Sequence, residues 1–308
     1  MPVGAAAGTA QYSGKFVPEI WSSQMLIKFY ETVCMAAISN TKYAGEIKNV
    51  GDKVVIRTVP TVTISDYVKN SDIDFEYLES ANVELLIDKA KNFGFLSDVI
   101  DIHQSDLPII EKFAQDASEQ MKISIETGVF ADIYASAATY NQGATAGYID
   151  RDINLGVSGT PLAVTSADVL SLIVESMQCL DDYSVFQMDR WGVGPNWFFT
   201  KILLSELKDA SLAGDGTSIL RNGRQGRIAD CTLYKSVLLT SVTDGGGEKA
   251  FYPLFGQKEA LSFASQMTRV KPIEPSMRHQ QGMKGLNVYG YKVLKGEALV
   301  APYIYKAA

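Results

Sequence analysis

Two stretches decide the fold: "VGDKVVIRTV" at residues 50–59 and "NVELLIDKAKNFGF" at residues 82–95. Both alternate with a period of two, the first through Val54 and Ile56 and the second through Leu85, which predicts two β-strands. Residues 60–80 between them are polar and acidic, with little apolar content. A lone two-stranded hairpin is marginally stable in water. We therefore expect an extended hairpin arm that something outside this chain supports.

Helical periodicity flanks this arm on both sides. Before it, apolar residues at a spacing of four predict an amphipathic helix from Pro18 to about Ala37. After it, apolar residues recur at steps of three and four: Ile110, Phe113, Ala114, Ala117, Met121, Ile125, Val129 and Ile133. They predict a helix of about 30 residues and roughly 45 Å. Ser105 or Asp106 can cap it, and Pro108 suits a first turn.

The second half of the chain predicts a mixture of helices and strands. A loop rich in Gly, Ala and Thr at residues 139–147 indicates a change of domain. Residues 165–182 predict a helix with Thr165 and Asp168 as a capping pair. A short helix from about Lys258 and closing strands in residues 285–306 complete the pattern.

Composition limits the functional classes. The chain has 308 residues, 46% of them hydrophobic and 20% charged, as in an ordinary globular protein. A net charge of -7 argues against polyanion binding over the whole surface but leaves a local basic patch open. The three cysteines show no metal-ligand spacing and are predicted to be reduced and buried. No signal peptide and no membrane span are predicted.

Candidate catalytic residues are few. His103 and His279 lie near no nucleophile motif, so a Ser/His or Cys/His site is not favoured. The cluster Asp98, Asp101, His103 and Asp106 has metal-ligand residue types, but it falls where the long helix is expected to begin. Carboxylates there also favour the positive end of the helix dipole, and we prefer that interpretation.

The basic stretch "RNGRQGR" at residues 221–227 leaves three interpretations open: a phosphate cradle, a nucleic-acid contact, or a turn at a protein interface. It matches neither the dinucleotide nor the Walker pattern, and a strand rather than a helix follows it. Gly223 and Gly226 favour a turn. In Trp197–Phe199 no cation alternates with the aromatic side chains, which favours a strand in the core over base stacking.

The order of these segments resembles the tailed-bacteriophage major capsid protein family, whose fold is shared with encapsulin shells and the herpesvirus capsid floor. The resemblance runs over nearly the whole chain, through "PEIWSSQML", the hairpin, "SDVIDIHQSD", the long helix, "WGVGPNWFFTKILL", "LRNGRQGRIADCTLYKS", "QKEALSFASQ" and "GLNVYGYKVLKGEAL". It implies an α+β fold with six parts. These are a flexible arm (1–17), an N-terminal helix region (18–45), an extended hairpin loop (46–95), a peripheral domain with a long spine helix (96–140), an axial domain (141–255) and a return to the core (256–308).

The resemblance also implies a function. It implies a structural protein without catalytic activity or cofactor, which assembles with itself into hexamers and pentamers of an icosahedral shell that packages viral double-stranded DNA. Portal and scaffolding proteins, and in some relatives a decoration protein, are the implied partners. Contact with DNA would be diffuse and no membrane would be involved. Assembly would take place in the host cytoplasm and the product would be the virion capsid.

Particular residues follow from the resemblance as intersubunit candidates: Arg57, Tyr67, Lys69, Asp72, Arg221, Arg224 and Arg227. Some relatives form Lys–Asn isopeptide cross-links, and Lys69 and Asn70 have suitable residue types without an identifiable acid partner. Two alternatives stay open at this point. One is an encapsulin-like compartment that encloses protein, and the other is a metal-dependent enzyme that uses the Asp98–Asp106 cluster.

Overall fold

The computed structural model describes residues 33–45, 53–70, 72, 75–104, 108–205, 224–275 and 278–307. Within these ranges the α-helices are α1 (Met35–Ile38), α2 (Val99–Gln104), α3 (Ile109–Ile133), α4 (Val169–Asp182) and α5 (Asn196–Leu204). The strands of the first half are β1 (Lys53–Arg57), β2 (Asn82–Leu86), β3 (Lys89–Asp98) and β4 (Leu162–Val164). Those of the second half are β5 (Arg190–Gly194), β6 (Arg224–Ile228), β7 (Cys231–Lys235), β8 (Ser241–Thr243), β9 (Lys249–Phe251), β10 (Leu254–Gln257), β11 (Leu261–Ile273), β12 (Gln280–Val293), β13 (Leu299–Val300) and β14 (Ile304–Lys306).

The predicted hairpin is confirmed. Strands β1 and β2 pair antiparallel, with Val54 opposite Leu85. Both of these side chains are buried, whereas Val55 and Leu86 are exposed, so the alternation read from the sequence holds. The buried side packs on Ala264 of β11.

The connection from Thr58 to Ala81 differs from the expectation of little apolar content. Its large apolar side chains lie exposed: Val59, Val62, Ile64, Tyr67, Val68, Phe75, Tyr77 and Leu78. Ile64, Phe75 and Tyr77 are 88%, 87% and 99% exposed. In sequence some of them alternate with polar residues, as Phe75 and Tyr77 do with Glu76, and others are adjacent, as Tyr67 and Val68 are. The described part of this connection contains neither a helix nor a strand.

The long helix is present but shorter than expected. Helix α3 has 25 residues and spans about 37 Å at the usual rise. Its C-terminal half is buried through Ile125, Val129, Phe130 and Ile133. Pro108 directly precedes it, whereas Ser105 and Asp106 lie outside the described residues.

A three-stranded sheet in the order β11-β12-β3 packs on α3. The rings of Phe95 on β3 and Phe113 on α3 meet edge to face, with centroids 5.8 Å apart. Lys89 Nζ lies 2.8 Å from Asp132 on α3 and 2.5 Å from the Tyr291 hydroxyl on β12, which also contacts Asp132. The hydrogen bond from Lys89 lowers the pKa of Asp132. Apolar and polar contacts together fix the helix across two strands.

A five-stranded sheet, in the order β13-β10-β5-β7-β6, is covered on both faces. Trp191 lies opposite Gly256 and Phe255 lies opposite Gly192, so each large side chain has a glycine as its cross-strand partner. A Cβ at Gly192 would meet the Phe255 ring at 2.7 Å, which is why only glycine fits there. Trp191 joins the core that contains α3, whereas Phe255 joins the core of α4 and α5.

A four-stranded sheet in the order β4-β14-β9-β8 lies beside this core. The closing strands predicted in residues 285–306 are confirmed: they are the greater part of β12, together with β13 and β14. Helix α4 is also confirmed: Val169, Ile173, Met177 and Leu180 are buried on one face. The Thr165 hydroxyl does donate a hydrogen bond to the Asp168 carboxylate, but this carboxylate accepts no capping hydrogen bond from the N–H groups of the helix.

Two local predictions were wrong. Trp197–Phe199 lie on helix α5 rather than on a strand, although Phe198 and Phe199 are core residues as expected. Pro195, at φ -71°, precedes this helix with a backbone angle already suited to it. The helix from Lys258 is a turn, closed by the bond from the Ala260 N–H to the Gln257 carbonyl, and β11 begins at Leu261. Pairing with β12 outweighs the local helical pattern there.

The helix predicted at residues 18–37 lies largely outside the described residues. Only the part from Val33 onward, which leads into α1, can be compared with the prediction. The arm at residues 1–17 lies wholly outside them. The division into domains stays a prediction.

Replacing Ile125 by Asp should prevent folding, because it buries a carboxylate without a partner on the core face of α3. We expect a loss of more than about 4 kcal/mol in the free energy of unfolding. Lys122→Ala on the exposed side, which breaks only the surface pair with Glu119, should change it by less than about 0.5 kcal/mol. Far-ultraviolet circular dichroism with urea titration measures both. A well-folded Ile125→Asp variant would contradict the burial of this helix face.

Candidate functional site

The hairpin candidates lie at the end of β1 and in the connection that follows it. Arg57 is the last residue of β1, and Tyr67, Lys69 and Asp72 follow in the connection, all exposed. Tyr67 and Asp72 line the same shallow pocket as Phe75. Lys69 and Asn70 form a turn in which Asn70 has φ 65°. The structure thus brings three of the four candidates into one exposed loop.

Two of the three arginine candidates belong to the edge strand of the five-stranded sheet. Arg221 is outside the described residues, while Arg224 and Arg227 belong to edge strand β6, opposite Tyr234 and Thr232 of β7. The turn was predicted at residues 222–226, but Gly226 is within β6. The β6–β7 turn falls at Ala229 and Asp230, both with positive φ. A strand at this position, rather than a helix N-terminus, disfavours a phosphate cradle.

The acidic cluster caps a short helix. The Asp98 carboxylate accepts the Ile100 N–H at 2.9 Å at the start of α2, not at the start of the long helix as expected. His103 is exposed in the last turn of α2. Asp106 and the Asp101 side chain are outside what the structure describes. Among described residues no group of three His, Cys, Asp or Glu side chains could hold a metal ion.

Glu126 is a residue that the sequence analysis missed. It lies on the buried face of α3 with no exposed surface. Its carboxylate accepts the backbone N–H groups of Cys34 and Met35 at 2.9 and 3.0 Å, and the Cys34 thiol at 3.4 Å. It therefore fastens the segment that enters α1 to the long helix. A lone Glu inside a helical apolar pattern resembles a surface residue in sequence, so only the partner segment reveals this role.

Burial raises the pKa of Glu126, because the loss of hydration outweighs the three hydrogen bonds that favour its charged form. The cysteines are buried as predicted, and none of the three forms a disulfide. Burial raises the pKa of Cys179 to about 12, which removes thiolate chemistry at neutral pH. Across the described residues, no helix has the length and apolar character needed to cross a membrane.

Taken together, the long helix under a three-stranded sheet, the hairpin with its exposed connection and the second half with its two further sheets make up the phage capsid fold. The chain is similar along its length to solved phage structures. A structure of Mycobacterium phage Che8 is 21% identical, with a TM-score of 0.75 over 94% of this chain and 98% of that chain. The capsid structure of cyanophage P-SCSP1u is 15% identical, with a TM-score of 0.73 over 99% and 97%. The capsid of cyanophage Pam1 is 10% identical, with a TM-score of 0.70 over 99% of each chain.

These similarities confirm the predicted fold class. No protein-family model matches the chain, and no curated protein sequence matches it. The likeness therefore lies in the three-dimensional arrangement and in the order of elements, which the sequence pattern retains at 10–21% identity.

Glu126→Gln should flatten the pH dependence of stability. A carboxyl with a raised pKa in the folded state holds its proton more tightly there than in the unfolded chain. Its contribution to stability is thus present at low pH and is lost as pH rises from the ordinary value, about 4.5, through the raised value. Urea midpoints of both proteins between pH 4 and pH 7 measure this. The difference, wild type minus variant, should fall with rising pH, and parallel profiles would contradict a raised pKa.

Proposed function

We propose that this chain is a major capsid protein that assembles with itself into the hexamers and pentamers of an icosahedral shell. The observation that carries this proposal is the capsid fold over 94–99% of the chain, shared with structures from several phages. The role is structural, without a catalytic step. We further propose that the shell encloses double-stranded DNA in a virion assembled in the host cytoplasm, with portal and scaffolding proteins, and in some systems a decoration protein, as partners.

The exposed connection of the hairpin supports self-assembly. Eight large apolar side chains in one loop are more than a solitary protein normally leaves in water. Capsid shells repeat one chain, so the partner available to every loop is another copy. Arg57, Tyr67, Lys69 and Asp72 would contact that copy. Isopeptide formation by Lys69 remains without support, since the structure gives it no acid partner among the described residues.

The proposed division of labour follows the domain ranges given above. The arm at 1–17 and the hairpin loop at 46–95 would reach neighbours, while the peripheral domain would form the shell wall around α3. The axial domain at 141–255 would meet its copies at the capsomer centre. There the β6 edge would bring Arg221, Arg224 and Arg227 of several copies together, and these cations need carboxylates on the neighbouring copy.

Contact with packaged DNA would be diffuse, because the chain carries a net charge of -7. The enclosed material distinguishes this proposal from an encapsulin-like shell, which would hold protein instead of DNA. Purified particles treated with nuclease and then extracted distinguish the two: protected double-stranded DNA supports the virion shell, and protected protein without DNA supports the compartment.

Deleting residues 62–79 and joining the strands by a short turn should leave a folded chain that no longer forms shells. The deletion removes exposed side chains but no residue of the two main cores. Circular dichroism should match the wild type, while electron microscopy and sedimentation should show no closed particles. Regular shells from the deletion variant would contradict an intersubunit role for the hairpin.

Changing Arg221, Arg224 and Arg227 together to Ala should weaken assembly and make its dependence on salt shallower, with the isolated chain still folded. The substitutions remove the cations that would attract carboxylates on neighbouring copies. Because salt screens that attraction, assembly without it depends less on salt. Light scattering across ionic strengths measures the slope. A matched control is Lys235→Ala, an exposed cation on the adjacent strand. Saturable nucleotide binding by the wild type, lost in the triple variant with assembly intact, would instead support a phosphate cradle.

A further inference from the structure

One face of the β11-β12-β3 sheet is covered by other parts of the chain along only part of its length. Side chains directly opposite one another in an antiparallel sheet project from the same face. Phe95, Tyr289 and Tyr291 therefore mark the face on α3, and Ala264 and Val288 mark the other. The base of the chain's own hairpin covers this second face at Ala264, Val288 and Gly290. Further along β11 and β12 the described residues of this face are exposed at Arg269 and Lys284.

Three cations occupy this exposed part. Lys284 of β12 lies directly opposite Lys271 of β11, and Arg269 lies two pairs further along on the same face, opposite Leu286. All three are exposed, and with Asn92 and Leu286 they line one shallow pocket. We call the three cations Arg269, Lys271 and Lys284 the basic strip. Within the described ranges none of the three forms an ion pair.

This arrangement needs an anionic partner. Like charges directly opposite one another across a pair of strands destabilise a sheet. Lys271 and Lys284 form such a pair of like charges, on a chain that is acidic overall, with 35 carboxylate residues against 28 Lys and Arg. The strip also has an apolar rim, because Leu96 and Leu286 are partly exposed beside it. A partner that fits would carry both carboxylates and apolar side chains.

The hairpin connection of a second copy has that chemistry. Residues 60–80 contain five carboxylates, Asp66, Asp72, Asp74, Glu76 and Glu79, against the single cation Lys69. The exposed side chain of Ile64 precedes these carboxylates in sequence, and those of Phe75 and Tyr77 stand between them. The connection spans 24 residues from Thr58 to Ala81, so its tip can extend about 40 Å from the strands at about 3.3 Å per residue along each arm.

The chain's own connection does not cover the strip, since all three cations stay exposed in the single chain. We propose that the basic strip Arg269, Lys271 and Lys284 is the docking surface for the acidic hairpin connection of a neighbouring copy. This inference rests on the proposed shell and names the surface that receives the hairpin. A nucleic acid would match the charge of the strip but would leave its apolar rim and the apolar loop side chains uncovered.

A charge exchange tests the pairing. Variant one carries Lys271→Glu and Lys284→Glu, and variant two carries Asp66→Lys and Glu79→Lys. Each alone should lower the yield of sedimenting particles by about tenfold or more, because it sets like charges against each other at every contact. The chain with all four changes should recover to within about threefold of the wild type, since each pair is restored with its sign reversed. Lys112→Glu with Lys295→Glu, two exposed cations away from the strip, serves as the matched control.

The outcomes separate the two proposals. If the wild-type chain forms no particles, the proposed shell fails and the docking surface with it. If the wild type assembles and variant one assembles equally well, or if the four-change chain stays as defective as either pair, the docking surface alone is wrong. Loss of DNA retention by variant one, with particle yield unchanged, would assign the strip to nucleic acid and overturn the pairing. Circular dichroism of every variant checks that the fold is intact.

Discussion

The packing of α3 against one face of the β3–β12–β11 sheet is the contact on which the rest of the structure depends. It buries Ile125, Val129 and Ile133 and positions Glu126 to hold the segment at Cys34. Because side chains alternate along a strand, committing one face of the sheet to the helix commits the other face to solvent or to a partner. The hairpin base and the basic strip share that second face, so the same register that builds the core also exposes the surface proposed for assembly.

Much of this arrangement follows from periodicity in the sequence. The hairpin, α3, α4 and the closing strands were predicted, since each has a regular apolar pattern long enough to set its type. The fold class followed from their order. The errors fall where a short pattern meets a long-range contact: α5 in place of a strand, and a turn leading into β11 in place of a helix at Lys258. A short helical pattern near Lys258 does not outweigh a strand pairing along the 13 residues of β11.

The candidate site was less predictable, for physical reasons. Residue types suggested the hairpin candidates and the arginines, but the connection was expected to have little apolar content, and only the structure shows that its apolar side chains are exposed outside any strand or helix. Glu126 could not be found from sequence, because its three donors belong to residues about 90 positions earlier. Lys271 and Lys284 become neighbours only through the antiparallel register of β11 and β12. Charge clusters made by pairing strands are invisible until the register is known.

The cross-strand pairing of Trp191 with Gly256 and of Phe255 with Gly192, between β5 and β10, has a mechanical consequence. These two strands carry one face of each main core, so neither core can lose its packing without stripping a face from the sheet that the other core needs. Heat should therefore melt the two cores in a single cooperative transition, with calorimetric and van't Hoff enthalpies in agreement, rather than in two separate steps. A chain built this way resists partial opening under mechanical load, since neither core opens before the other.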